Sequence, residues 1–316
     1  MRQHTVQTPY MVGEVHFYST ELNGGLAIFD TGPPTAEGMD RLREEIDLAR
    51  LRYVFITHCH VDHYGLVAHI EENSDAEIFI PRMDDVKLRC QAERTAHIQG
   101  LLDGCGFDGS FYLRLKDALA KNNVFPTLPQ RYRIVEESAE YLAGLGIGYL
   151  SCPGHSQSDI VYLCNGYAVT GDILLRNIFQ APLLDIDLQT FAGRYRNYDA
   201  YCRSIVELAR ARGLTILPGH RGHVSSLDDT ILFYVRKVME RAGRLLEFPR
   251  SISVSRIIER LFPEGADDPF VVYLKASEVV FMRDFLDEPQ RLRASMESIG
   301  LFGEVADLYG RVAGRM

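Results

Sequence analysis

Between Phe55 and Leu66 the chain runs FITHCHVDHYGL, which places His58, His60, Asp62 and His63 within six residues. Imidazole nitrogen and carboxylate oxygen are ligands for zinc and for non-haem iron or manganese. Four such groups in one loop would be costly to bury without a cation. From the chain's own residue frequencies, HxHxDH arises by chance in a sequence of this length on the order of once in a thousand. Alternation in an extended loop sets His58 and His60 on one side, and Asp62 and His63 then turn toward a second point.

Groups of the same chemistry recur where an apolar run closes on Gly or Pro. YLSCPGHS supplies His155, YAVTGD supplies Asp172 and LTILPGH supplies His220. Singly, a Gly-Asp turn is usually only a turn and a lone histidine is usually not a ligand, so the weight lies in the three together beside HxHxDH. In GLAIFDTGP, Asp30 reads by itself as the turn former before Thr-Gly-Pro-Pro. His223 reads as solvated or substrate-facing, His4, His16, His69 and His97 have no ligand-like context, and Cys59 alternates away from the metals.

These groups need strands that end at them. Short runs rich in Val, Ile, Tyr and Phe, bounded by Gly, Pro, Asn or Asp, predict strands over 10–19, 25–30, 52–57, 77–80, 131–137, 146–152, 159–164, 167–172 and 214–219. Met39, Leu42 and Ile46 within 37–49, and Tyr198, Tyr201, Ile205 and Leu208 further on, mark amphipathic helices that cover sheet faces. Residues 83–130 interrupt the alternation with helical, partly apolar sequence that includes FDGSFYLRLKDAL. This insertion reads either as plain packing or as a pocket wall, in which case Phe107, Phe111 and Tyr112 would face substrate. From 226 the pattern is helical, beginning with LDDTILFYVRKVMERAGRLLEF, whose apolar stripe reads as core-facing, with SVSRIIERLFPEG (253–265) and KASEVVFMRDFLDEPQRLRASM (275–296) as further helices. The expected organisation is an α/β catalytic domain over 1–225, carrying the insertion, and a helical region over 226–316.

The 316 residues are 46% apolar and 24% charged, the composition of an ordinary soluble globular protein, and no apolar run is long enough to span a bilayer. MRQHTVQTPYMV lacks a basic region followed by an apolar segment and a cleavage site, so the expected location is cytoplasmic. The six cysteines are scattered and form no CxxC pair, which argues against a disulfide framework. A net charge of −9 argues against nucleic acid as the main partner while leaving room for a local basic groove. A small-molecule substrate is the expected partner, no membrane is, and a homodimer is compatible with the sequence.

HxHxDH, a His after a Pro-Gly turn, a Gly-Asp and a final His together resemble the metallo-β-lactamase superfamily over about residues 10–225. The resemblance implies an αββα sandwich, two β-sheets face to face with helices outside and metals at one end. It implies that His58, His60 and His155 bind a first metal, that Asp62, His63 and His220 bind a second, and that Asp172 bridges them. It further implies two divalent cations, zinc first with iron or manganese as alternatives. They would share a hydroxide that Asp62 also orients, making Asp62 catalytic, while Asp30 supports the ligand loop.

The superfamily includes thioesterases such as glyoxalase II, lactonases, nucleases, sulfur dioxygenases and flavin-linked oxidoreductases, so the shared cradle leaves the reaction open. Flavodiiron proteins carry a Glu in place of the second histidine and a flavodoxin-like domain, and this chain has neither. The seventeen residues from His155 to Asp172, the helix after PGH and the helical C-terminus look like the group of β-lactamase-like endoribonucleases and the quinolone-signal thioesterase. The expected function is hydrolysis of a small thioester, ester or lactone. A phosphodiesterase or endoribonuclease is the alternative enzyme, and a regulatory protein on the same metal fold is a third reading.

Overall fold

Two sheets result from the strand-forming runs. The computed structural model describes residues 1–10, 13–121, 126–179, 182–263 and 268–314. The first sheet runs in chain order through β1 (Arg2–Val6), β2 (Val15–Leu22), β3 (Gly25–Phe29), β4 (Leu51–Phe55), β5 (Glu77–Ile80) and β6 (Arg133–Ile134). Its first three strands are antiparallel and its last four parallel. The second sheet is ordered β10 (Thr215–Pro218), β9 (Tyr167–Gly171), β8 (Ile160–Cys164), β7 (Ile147–Ser151), parallel only between β10 and β9.

Period-two alternation fills both faces of each sheet. Phe29, Phe55 and Phe79 point between the sheets and meet Ile160, Tyr162 and Val169. The Phe55 ring lies 5.1 Å from Phe29 and from Phe79, and 5.5 Å from Tyr162. Two tyrosines also tie the sheets together where ligand loops begin. Tyr162 Oη donates to the Ile56 carbonyl at 2.9 Å, and Tyr18 Oη to that of Pro218 at 2.6 Å. The opposite face of the first sheet, with Ile28, Val54 and Ile78, is covered by α1 (Ala36–Glu45), α2 (Val61–Tyr64) and α3 (Val67–Asn73). That of the second, with Val161, Ala168 and Ile216, is covered by α8 (Asn197–Leu208), α9 (Leu227–Leu245) and α11 (Pro269–Asp287). Helix, sheet, sheet, helix is the expected αββα sandwich.

The insertion holds α4 (Arg82–Arg89), α5 (Gln91–Gly104) and α6 (Gly109–Lys121). A short α7 (Ala139–Gly144) leads into β7, and α10 (Val254–Leu261), α12 (Pro289–Ser298) and α13 (Ala306–Ala313) complete the C-terminal layer. Several expected boundaries shift. The strand expected over 10–19 starts at Val15, and Met11 and Val12 lie outside the described residues. β1 escapes the sequence pattern because RQHTV is a polar edge strand whose partner, not its composition, makes it a strand. The run over 131–137 keeps two strand residues at the sheet edge and then turns Val135 into the core. The helix expected over 275–296 is divided between α11 and α12 at Pro289, which sits in the first turn of α12, where a missing N–H costs nothing. α10 ends at Leu261, and Glu264 and Gly265 of the expected helix lie outside the described residues. All six cysteines are free thiols, and no helix among the described residues is long and apolar enough to cross a membrane.

Candidate metal centre

Every candidate ligand sits just past the carboxyl end of a strand. After β4 the chain bends at Thr57 and passes His58, and His60, in extended conformation, precedes the single turn of α2, which carries Asp62 and His63. His155 follows β7, Asp172 follows β9 and His220 follows β10. Two glycines are required for this convergence. A Cβ on Gly219 would lie 2.5 Å from His63 Cε1 and 2.8 Å from Asp172 Oδ1. At Gly171, where φ is +49°, it would lie 2.6 Å from Thr57 Oγ1.

The side chains form two clusters that meet at one carboxylate. His58, His60, His155 and Asp172 offer ligand atoms within 4.8 Å of one another, and so do Asp62, His63 and His220. Asp172 Oδ1 lies 3.2 Å from His63 Nε2 and 3.3 Å from His220 Nε2, while its Oδ2 faces His155 Nε2 at 3.7 Å. His220 Nε2 is also 3.2 Å from Asp62 Oδ2. His60 Nδ1 is 2.9 Å from both His58 Nε2 and His155 Nε2. His63 Nε2, His220 Nε2 and Asp172 Oδ1 are buried and make no hydrogen bond, an arrangement a cation would satisfy. The donor set of imidazoles and carboxylates fits zinc, iron or manganese.

Supporting groups aim the rings. Asp30 Oδ1 accepts from the Thr57 backbone N–H at 2.8 Å, and its Oδ2 accepts from His63 Nδ1 at 2.8 Å, which turns Nε2 of His63 inward. Asp30 holds φ at +61°, an unfavourable conformation for a side chain with a Cβ, kept by these bonds. His220 Nδ1 donates to the Glu14 carbonyl at 2.6 Å and is oriented in the same way.

Charge differs between the clusters. Burial, then the charge on His63, holds the pKa of His58 well below the usual imidazole range, and burial with neighbouring imidazoles does the same for His60, leaving both neutral as ligands must be. Burial also works against the charged forms of His63 and His220. Asp172 and the other nearby carboxylates outweigh it, raising His63 well above its ordinary value and His220 to about 10. Asp172 and Asp62 are buried too, yet the imidazoles beside them hold both below the usual carboxylate range.

Several participants had no signal in the sequence. Asp84 of α4 is fully buried and accepts from Ser158 Oγ at 2.7 Å, while Cys59 lies against the same carboxyl. It therefore links the loop that carries His58 and His60 to the loop that carries His155. Lys87, one turn further along α4, acts electrostatically on His58 and His60, and Tyr10 feels the charge of Asp62. His155 also borders a narrow apolar cleft lined by Ile173, Phe179, Tyr201, Ile231 and Phe281 among others. The pocket residues expected from the insertion are placed elsewhere. Phe107 and Phe111 stack at 4.3 Å in the cluster that includes α10 and α11, and Tyr112 Oη donates to the Thr95 carbonyl at 3.0 Å. None of the three lines this cleft, and neither does His223, which is exposed three residues past His220. No sequence signal distinguishes an apolar face that packs on a neighbouring helix from one that meets a ligand.

A family model described as the metallo-beta-lactamase superfamily matches residues 15–220. Among solved structures, a metallo-beta-lactamase family protein from Thermus thermophilus is similar with a TM-score of 0.68 at 18% identity, over 91% of this chain and 93% of that one. A beta-lactamase domain protein from Burkholderia ambifaria is similar with a TM-score of 0.69 at 18% identity, over 90% and 86%. At this identity the likeness is one of fold, and its coverage reaches past residue 220 into the C-terminal helices. No curated protein matches the chain in sequence.

Proposed function

The chain belongs to the metallo-beta-lactamase superfamily, and from that premise we propose that it is a dinuclear metal-dependent hydrolase of a small carbonyl compound, a thioester, ester or lactone. The observation that carries this reading is the convergence of seven ligand groups on two points that share Asp172. His58, His60 and His155 would hold one ion, Asp62, His63 and His220 the other, with Asp172 between them. Bound zinc, iron or manganese ions supply Lewis acidity for a carbonyl oxygen and lower the pKa of water toward neutrality.

The chain's own residues set the geometry. Asp62 Oδ2 faces His220, which leaves Oδ1 to accept the proton of the attacking water and to orient its lone pair. Asp30 and the Glu14 carbonyl fix His63 and His220 so that neither ring must reorganise during turnover. The apolar wall beside His155 suits the carbon skeleton of a carbonyl substrate better than a phosphate chain. A second reading, phosphodiester cleavage, is favoured by Lys87 near the first cluster and by Arg176, whose Nη1 lies 3.5 Å from a Cβ built on Gly222 beside the last ligand loop.

A panel of acyl thioesters, lactones, RNA and DNA separates the two. At least one acyl compound should be turned over, and Asp62→Asn should abolish it, while nucleic acids are cleaved weakly. Robust metal-dependent RNA cleavage that falls steeply with salt, with no acyl turnover, would replace the carbonyl reading with the phosphodiester one.

A further inference from the structure

We propose that the cavity between the end of α9, α10 and α11 binds a small carboxylate whose apolar body is the size of a single ring, with Arg283 taking the carboxylate. The cavity is built by segments that meet only in the fold. Leu245 closes α9, Phe248 and Arg250 lie on the connection that follows, and Ile257 comes from α10. Arg283 and Leu286 stand three residues apart on one face of α11. Together these side chains surround about 240 Å³ of space. An apolar cavity of about 150 Å³ holds one benzene molecule, so there is room here for a ring and a few further atoms. None of the lining residues borders the cleft beside His155.

The cavity has an apolar floor and a cationic rim. Leu245, Ile257 and Leu286 are buried, Phe248 is half-buried, and the charges that line the space are the two guanidinium groups. Arg250, at the exposed edge, is already held. Its Nη1 donates to Asp287 Oδ1 at 2.5 Å and its Nη2 to the Leu286 carbonyl at 3.3 Å. Arg283 is half-buried, its Nη2 donates to the Ile252 carbonyl at 2.5 Å, and no carboxylate among the described residues forms an ion pair with it. Burial pulls its pKa below the ordinary guanidinium value and the charge of Arg250 adds to the pull, against the opposing effect of Cys105 and Asp287. A charge drawn out of water without a counter-ion is costly, and an anion set against it offsets that cost. With Arg250 paired to Asp287, Arg283 leaves the site one net positive charge, which suits a carboxylate better than a doubly charged phosphate. The guanidinium fork matches two carboxylate oxygens, and the floor receives the apolar remainder of the molecule. A sugar would find no polar partners on that floor.

Calorimetry on the metal-loaded protein with sodium phenylacetate, sodium acetate and 2-phenylethanol tests both parts of the site, since acetate lacks the ring and the alcohol lacks the charge. Phenylacetate should bind saturably and at least about tenfold more tightly than either. Arg283→Gln, which removes the charge, should weaken phenylacetate by at least about tenfold with metal content unchanged. If that variant does not fold, Arg250→Gln at the exposed edge leaves Asp287 unpaired beside the site and should weaken phenylacetate by about threefold or more. A carboxylate can also reach a metal ion, and His60→Ala separates the two positions, because it loses metal and should keep the affinity of the cavity. The proposal is overturned by an absence of saturable binding, or by a phenylacetate affinity no better than that of acetate or the alcohol. It is overturned equally by an affinity that survives in every arginine variant that folds, or by binding that disappears in folded His60→Ala.

Discussion

Asp172 faces both histidine clusters at once, with Oδ1 toward His63 and His220 and Oδ2 toward His155. Its removal should therefore affect both candidate metal positions, whereas removal of His60 touches one. Purified protein should carry close to two transition-metal ions per chain, and elemental analysis of His60→Ala and Asp172→Ala should show at least one lost. Trace metal only, with no thermal stabilisation by zinc, iron or manganese, would refute the metal reading. A different histidine governs pH response away from the centre. His4 is buried, and burial lowers its pKa against the opposing pull of Glu45, which bonds its Nδ1, while Ser19 Oγ lies 2.7 Å from its Nε2. A folded pKa below 6.5 means that the unfolded chain takes the proton first. The stability tied to neutral His4 is therefore complete above that pH and is lost as the pH falls below it. The stability advantage of the native protein over His4→Gln should shrink between pH 7 and 5, by at most about 1.4 kcal/mol per pH unit, in denaturant titrations. An advantage independent of pH would show that His4 does not titrate in this way.

At the level of elements, α4 and α6 of the insertion have different tasks. α4 carries Asp84 beneath both loops of the first cluster, so it acts on the centre by holding backbone in place. α6 presents Phe111 to the packing against α10 and α11, where it is 5% exposed. Phe111→Ala should cost about 3–5 kcal/mol in unfolding free energy, as a large core truncation does, and leave metal content and substrate preference as they were. A change of selectivity with little loss of stability would return α6 to the role of a pocket wall. The amphipathic pattern of residues 107–119 revealed a helix with a buried face. It carried no information on whether that face meets protein or substrate, because both require the same apolar residues.

Across the whole molecule, the helices after residue 226 share one buried cluster with the second sheet. Val235, Val238 and Met239 of α9 and Phe281 and Phe285 of α11 pack in the same cluster as Val161, Ala168 and Ile216. A chain ending at residue 225 would keep α8 but expose the part of that sheet face, and of α8 itself, that α9 and α11 cover. Such a truncation should be insoluble or lack cooperative unfolding, since exposed apolar surface of that extent drives aggregation. A soluble fragment with a sharp thermal transition and full metal content would instead establish residues 1–225 as an independent unit.

The chemistry of the candidate site was legible in the order of residues, because metal ligands must be particular side chains and the turns that deliver them need Gly or Pro at set places. HxHxDH, PGH, GD and PGH therefore stand out without coordinates, and so do the strands ahead of them. Asp30 was ambiguous in sequence between a turn former and a support. In the structure its carboxylate accepts from Thr57 and His63 while its backbone turns at a positive φ, so each reading has a counterpart there. What the order of residues could not contain were relations between distant segments whose individual composition is ordinary. Asp84 beneath Cys59, Lys87 near His60, the Glu14 carbonyl behind His220 and the cleft between α8, α9 and α11 are of this kind. A buried carboxyl, a backbone carbonyl and an apolar ring acquire their meaning from what packs against them, and only the tertiary structure decides that.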